Sequence, residues 1–190
     1  EIRELLMKNR SYRRFHQEES IGEDILEQLV NLARLSGSGA NMQPLKFILS
    51  ADQQKNESIF PNLAWAGYLK DWDGPAEGER PSAYIIILGD KNIRESFGCD
   101  HGIAAQSILL GAAEKGLGGC IIGSIKKNPL REAIPIPEHC EILLVLALGK
   151  PKEQVVIEEL KEGGDIKYWR DEKGIHHVPK RSLQELILKL

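Results

Sequence analysis

The chain has 190 residues, 42% hydrophobic and 28% charged, enough apolar material for the core of one domain or of one protomer in an intimate dimer. A formal net charge of -3 offers no basic surface for nucleic acid, and the apolar runs fall far short of the ~20 residues that span a bilayer, so neither partner is expected. The three cysteines form no C-x-x-C pair, and no basic and apolar leader opens the chain, which together predict reduced thiols and a soluble cytoplasmic protein.

Ile2 to Asn9 reads as a short helix, with Ile2, Leu5 and Leu6 on one face. The polar run Arg10-Ser11-Tyr12-Arg13 follows. A second helix starts at a Ser20 or Gly22 cap, carries Ile25, Leu29, Leu32 and Ala33 at helical spacing, and stops at Ser36-Gly37-Ser38-Gly39. Phe47 to Leu49 reads as a strand. Between Phe60 and Pro81 the pattern is irregular, although the spacing of Trp65, Tyr68 and Trp72 suits a short amphipathic helix. Ala83 to Leu88 is a continuous apolar run, the pattern of a strand buried on both faces.

Asp100 to Lys115 is a strong helix, capped by Asp100 and made of small and apolar residues almost all round, so it is expected to pack on several sides. Gly119 to Ile122 predicts a strand, Pro129 to Ile134 a short helix, and Glu141 to Leu148 another buried strand. Beyond Pro151 the chain becomes more charged, with a possible strand over Ile166 to Arg170 and an amphipathic helix over Ser182 to Leu190. Helices between buried strands give an α+β fold, a mixed sheet flanked by helices, in a single domain over residues 1–190.

Four clusters bear on chemistry, each open to two readings. Arg10, Ser11 and Arg13 put two guanidinium forks and a hydroxyl within four residues, which suits a phosphate clamp or a solvated basic turn after a helix. Ser38, Asn41 and Gln43 lie in a small-residue loop that could approach a flat ligand or simply end a helix. The strand end Ile122-Gly123-Ser124 exposes backbone N–H groups to a planar ring, or is a glycine-rich turn. Lys180 and Arg181 form a second basic pair, either a phosphate partner or a surface feature. The five histidines have no metal-ligand spacing, and neither a G-x-S-x-G elbow nor a G-x-x-x-x-G-K-[ST] loop is present.

In order, Arg10-Ser11-x-Arg13-x-Phe15, Ser38-x-x-Asn41-x-Gln43-Pro44, Asp100-x-Gly102-x-Ala104-x-Gln106, Gly116-Leu117-Gly118 with Ile122-Gly123, Gly149-x-Pro151 and Lys180-Arg181 resemble the nitroreductase family over essentially the whole chain. The resemblance implies an intertwined homodimer of α+β protomers, with FMN bound at the interface and residues 152–190 as a C-terminal extension wrapping the partner. It implies that Arg10, Ser11 and Arg13, joined by Lys180 and Arg181, hold the phosphate and ribityl side. Ser38, Asn41 and Gln43 would meet the flavin ring, with Ser38 supplied by the other protomer, and Ile122, Gly123 and Ser124 would lie beside its N5 and O4 edge.

The implied activity is electron transfer from NADH or NADPH to a small acceptor such as a nitroaromatic, quinone or enone by a ping-pong mechanism, with no acid or base residue assigned. A flavin carrier or sensor, and a flavin-degrading or dehalogenating enzyme, are the rival readings. Gly37 stands where the family has proline, Leu45 where an aromatic is common, and the segment from Gln54 to Pro81 is shorter than in quinone- and nitroaromatic-reducing members. All three departures bear on the acceptor.

Overall fold

A computed structural model describes residues 1–188. The helices are α1 (Ile2–Lys8), α2 (Glu23–Leu35), α3 (Gln53–Ile59), α4 (Asp100–Glu114), α5 (Lys127–Ala133) and α6 (Leu183–Leu186). The strands are β1 (Phe15–His16), β2 (Leu45–Ser50), β3 (Ala83–Asp90), β4 (Gly118–Ile122), β5 (Cys140–Pro151), β6 (Val155–Glu159), β7 (Trp169–Arg170) and β8 (His176–Lys180).

The long strand β5 organises the main sheet. It pairs antiparallel with β3 along one edge and with β4 along the other, β1 joins at its C-terminal end, and β2 extends the sheet beyond β3. Parallel pairing enters at a bridge between Ser11 and Gly119 beside β4, and in a separate three-stranded sheet where β6 lies parallel to β8 and β7 antiparallel to it. The α+β class follows, with helices on both faces of the sheet.

Successive residues of β3 feed opposite layers, as a pleated strand requires. Tyr84, Ile86 and Leu88 join Ile59, Trp65, Leu130 and Val145 on one face, whereas Ala83, Ile85 and Ile87 join Leu26, Leu29, Ala105 and Ile108 from α2 and α4 on the other. Burial on both faces explains the unbroken apolar run. The small residues of α4 let α2 approach closely: a Cβ on Gly111 would lie 2.2 Å from a methyl carbon of Leu32.

Several expectations need correcting. Trp65, Tyr68 and Trp72 form no helix, because Ala66 adopts a left-handed φ of 35° that breaks helical continuation. Trp65 and Trp72 instead pack in and on the core, while the Tyr68 ring meets that of Tyr168 in a tilted contact, centroids 4.9 Å apart. Asp100 is the first residue of α4 and Cys99 its cap; the buried Asp100 carboxylate serves the Ser38 loop instead. The strand expected over Ile166 to Arg170 shortens to β7, and the terminal helix to the single turn of α6, with Lys189 and Leu190 outside the described residues. The charged stretch after Pro151 contains β6, because Val155, Val156 and Ile157 find a partner strand in β8.

Candidate functional site

The loop after α1 is tied to the sheet where Tyr12 N–H donates to the Gly119 carbonyl at 3.0 Å. Arg10 donates to the carbonyls of Asn9 and Leu6, both at 2.7 Å, so its charge sits on the C-terminal carbonyls of α1. That much is the basic-turn reading. The same Arg10 nevertheless lines a cavity of about 190 Å³ together with Ser11, Arg13, Tyr168, His176 and Lys180.

No carboxylate lines this cavity, while three side chains that are cationic at neutral pH do. Arg13 is the best fixed of them. Its Nη1 donates to the Ser11 carbonyl at 3.2 Å, and its guanidinium carbon stands 4.8 Å over the Tyr168 ring. Its backbone N–H donates to the buried Glu153 carboxylate, which also accepts from Arg14 N–H and from the Arg170 guanidinium. Burial, and then the charges of Arg13, Arg170 and His177, push His176 down to about 4, so its ring is neutral at pH 7.

A second cavity, of about 220 Å³, shares Arg13 and Tyr168 with the first. Trp65, Gly67, Ile122, Gly123 and Ser124 are among its walls. Gly123 and Ser124 lie just past Ile122–Val145, the last pair of the β4–β5 ladder. A Cβ on Gly123 would meet only a Leu144 methyl carbon at 3.9 Å, and its backbone is outside the left-handed region, so neither packing nor conformation demands glycine there. What the missing side chain leaves is open room in the cavity wall. Burial pushes the Cys120 thiol up, which keeps it protonated and unreactive beside this cavity.

Ser38 and Gln43 line a third cavity of about 190 Å³ that shares no residue with the other two. The Ser38 hydroxyl donates to Asp100 at 2.6 Å and accepts from Gln43 N–H at 2.9 Å, while Gly39 N–H donates to the second Asp100 oxygen. Burial raises the Asp100 pKa, but the Ser38 and Gly39 hydrogen bonds, with Arg94 and His101 nearby, hold it below the usual carboxylate range. Ala40, Asn41 and Gln43 all take left-handed φ values of 50° to 54°, a strain that this anchoring sustains.

Arg10, Ser11, Arg13 and Lys180 therefore come together, and Ile122, Gly123 and Ser124 gather next to them. Within one chain Ser38, Asn41 and Gln43 remain apart from both groups. Arg181 lines neither joined cavity and pairs instead with Glu185 at 3.6 Å. Sequence reasoning missed Tyr168, His176 and Glu153, which sit in the charged C-terminal stretch where no periodicity or motif marks them.

The two joined cavities suit one ligand with a phosphate at one end and a flat ring at the other. Trp65, in the wall of one cavity, and His176, in the wall of the other, each carry a buried nitrogen, Nε1 and Nδ1, without a partner among the described residues. Among the described residues there is no cluster of His, Cys, Asp and Glu that could hold a metal, and no helix long and apolar enough to cross a membrane.

The sequence model described as the nitroreductase family matches residues 6–150. A protein of Archaeoglobus fulgidus provisionally named NADH dehydrogenase/NAD(P)H nitroreductase is 26% identical over 149 residues, 74% of this chain and 80% of that protein. The crystal structure of a nitroreductase family protein from Streptococcus pneumoniae TIGR4 superimposes with a TM-score of 0.74 over 100% of both chains at 15% identity. An FMN-dependent nitroreductase from Clostridium difficile R20291 superimposes with a TM-score of 0.63 at 22% identity, over 79% of this chain and 87% of that one.

Proposed function

The chain belongs to the nitroreductase family, and from that premise we propose that it is an FMN-dependent oxidoreductase passing electrons from NADH or NADPH to a small organic acceptor. The observation that carries the cofactor is the pair of cavities joined at Arg13 and Tyr168, one cationic and without a carboxylate, the other walled by a strand end with room at Gly123. FMN held between these cavities by Arg10, Arg13 and Lys180 would supply the two-electron redox chemistry that links a reduced nicotinamide to a nitroaromatic, quinone or enone acceptor.

The chain's own residues position that group. Arg10, Arg13 and Lys180 neutralise the phosphate and Ser11 adds a short donor. Glu153 and Tyr168 hold Arg13 in place from below and from one side. The backbone N–H groups of Gly123 and Ser124, and the indole N–H of Trp65, are the donors available to charge on the ring edge. His176 stays neutral and adds no fourth positive charge to the phosphate end.

In this reading Ser38, Asn41 and Gln43 act on the ring of the partner protomer, which accounts for a strained and firmly anchored loop that touches neither cavity of its own chain. The exposed apolar residues Ile2, Leu6 and Met7 of α1, Ile103 of α4 and Ile121 of β4 form the contact surface of a homodimer. Residues 152–190 are partly committed to their own protomer through β6 to β8, and α6 with exposed Leu183, Leu186 and Ile187 is the portion left to cover the partner. Three free cysteines suit a cytoplasmic setting.

The test is direct. Purified protein is yellow, releases FMN rather than FAD on denaturation, and bleaches on anaerobic mixing with NADH or NADPH. Protein that takes up no FMN overturns the cofactor, and protein that holds FMN but does not bleach with either nucleotide overturns the activity.

A further inference from the structure

A cavity of about 430 Å³, larger than either half of the FMN site and sharing no residue with it, lies between the segment after β1, the helix α3 and the run entering β3. This volume is in the range of small-molecule pockets, about 300–1,000 Å³. Three residues of its wall each carry a buried polar atom with no partner among the described residues: Arg80 Nε, Ser82 Oγ and Tyr84 OH. Tyr84 is 0% exposed and Ser82 8%. Buried polar groups are almost always hydrogen-bonded, so three such atoms on residues that line one cavity call for a polar occupant.

The rest of the wall is already fixed. Gln17 accepts from Gly78 N–H at 2.8 Å and from Arg80 N–H at 3.1 Å, which sets the approach to β3. Asn56 accepts from the Ser50 hydroxyl and donates to the Ser82 carbonyl, both at 2.8 Å. Arg80 stands 4.4 Å over the Phe60 ring, while the neighbouring Glu79 carboxylate is taken by Arg14 and Lys152. A guanidinium without a carboxylate of its own, beside two orphan hydroxyls, is an anion site built in advance.

Charge narrows the anion. Arg80 is the one lining residue that is cationic at neutral pH, whereas Glu18, Glu57 and Glu77, all exposed, also line the cavity. Three carboxylates repel a dianion and tolerate a ligand whose charged end is single and whose remainder is neutral or cationic. We propose that this cavity binds a small monocarboxylate, its carboxylate held by Arg80, Ser82 and Tyr84, at a second site separate from the FMN site.

The test uses benzoate as probe and phenyl phosphate as the dianionic control, by isothermal titration calorimetry on the full chain as purified. Benzoate binds wild type at a site that survives Arg13→Ala. Both Arg80→Gln and Tyr84→Phe weaken that site roughly ten- to a hundredfold, the loss expected for one charge-assisted hydrogen bond, and phenyl phosphate does not displace benzoate from it. Without ligand, Tyr84→Phe melts at or above the wild-type temperature, because its hydroxyl has no partner to lose. No benzoate site in wild type, unchanged benzoate affinity in both variants, or a clear drop in the melting temperature of Tyr84→Phe would each overturn the proposal.

Discussion

Glu153, its side chain fully buried, accepts the backbone N–H of Arg13 from 140 residues earlier in the chain. It also accepts from Arg14 N–H at 3.2 Å and pairs with Arg170 at 3.1 Å. One carboxylate thus joins the loop that carries Arg10, Ser11 and Arg13 to the C-terminal sheet. Glu153→Ala leaves Arg170 and two N–H groups without an acceptor, a loss on the order of 3–5 kcal/mol. Glu153→Gln keeps one acceptor oxygen and loses less. Urea unfolding of the three proteins checks the order; an alanine variant as stable as wild type contradicts it.

Arg13→Ala weakens FMN more than Lys180→Ala. The guanidinium is held over Tyr168 and can bind phosphate in a bidentate manner, whereas lysine acts as a point charge. Loss of one charge-assisted partner costs on the order of 1.5–3 kcal/mol, roughly ten- to a hundredfold in affinity. Flavin fluorescence titration measures both dissociation constants. Equal values for wild type and Arg13→Ala remove Arg13 from the phosphate site.

Gly123→Val probes the ring end. The structure leaves room for the side chain and requires no glycine backbone angle, so the variant folds normally. It puts two methyl groups where the ring edge has to lie. FMN binding or reduction by NAD(P)H is therefore lost while circular dichroism melts match wild type. A variant with normal melting and wild-type turnover shows that the ring lies elsewhere.

Light scattering tests the dimer. Obligate interfaces bury more than ~2,000 Å² in total, and the proposed action of the Ser38 loop on the partner's flavin ring needs such an assembly. Holoprotein runs at twice 21.3 kDa even when dilute. A particle of 21.3 kDa that still reduces acceptors counts against the shared site.

His177 makes the C-terminal sheet sensitive to pH. Burial alone would lower its pKa, but Asp171 at 3.2 Å and Glu158 at 2.5 Å outweigh burial and raise it. A raised folded pKa means that the stabilisation is complete below the unfolded value of about 6.5 and is lost as pH rises through the folded one. Lys180 ends the strand that carries His177, so the phosphate end shares in the loss. The melting-temperature advantage of wild type over His177→Gln is full below about pH 6.5 and shrinks as the pH rises above it. An advantage independent of pH across that window refutes the linkage.

What the sequence by itself determined is what short-range pattern encodes. The unbroken run of β3 announces burial on both faces, the 3.6-residue spacing of Ile25, Leu29 and Leu32 announces α2, and the Gly119 to Ile122 run announces β4. Only the tertiary structure decided the rest, because those features rest on partners distant in the chain. β6 and β8 exist by pairing with each other, Tyr168 is placed by a tilted ring contact with Tyr68 100 residues away, and a charged stretch bears no local sign of either. Trp65, Tyr68 and Trp72 had helical spacing, yet the left-handed Ala66 and the demands of core and cavity separated them. Asp100 had the composition of a helix cap, yet its burial beside the Ser38 loop gave its carboxylate two other donors. The cavity lined by Arg80, Ser82 and Tyr84 has no signature in sequence, since its wall is assembled from three segments separated along the chain.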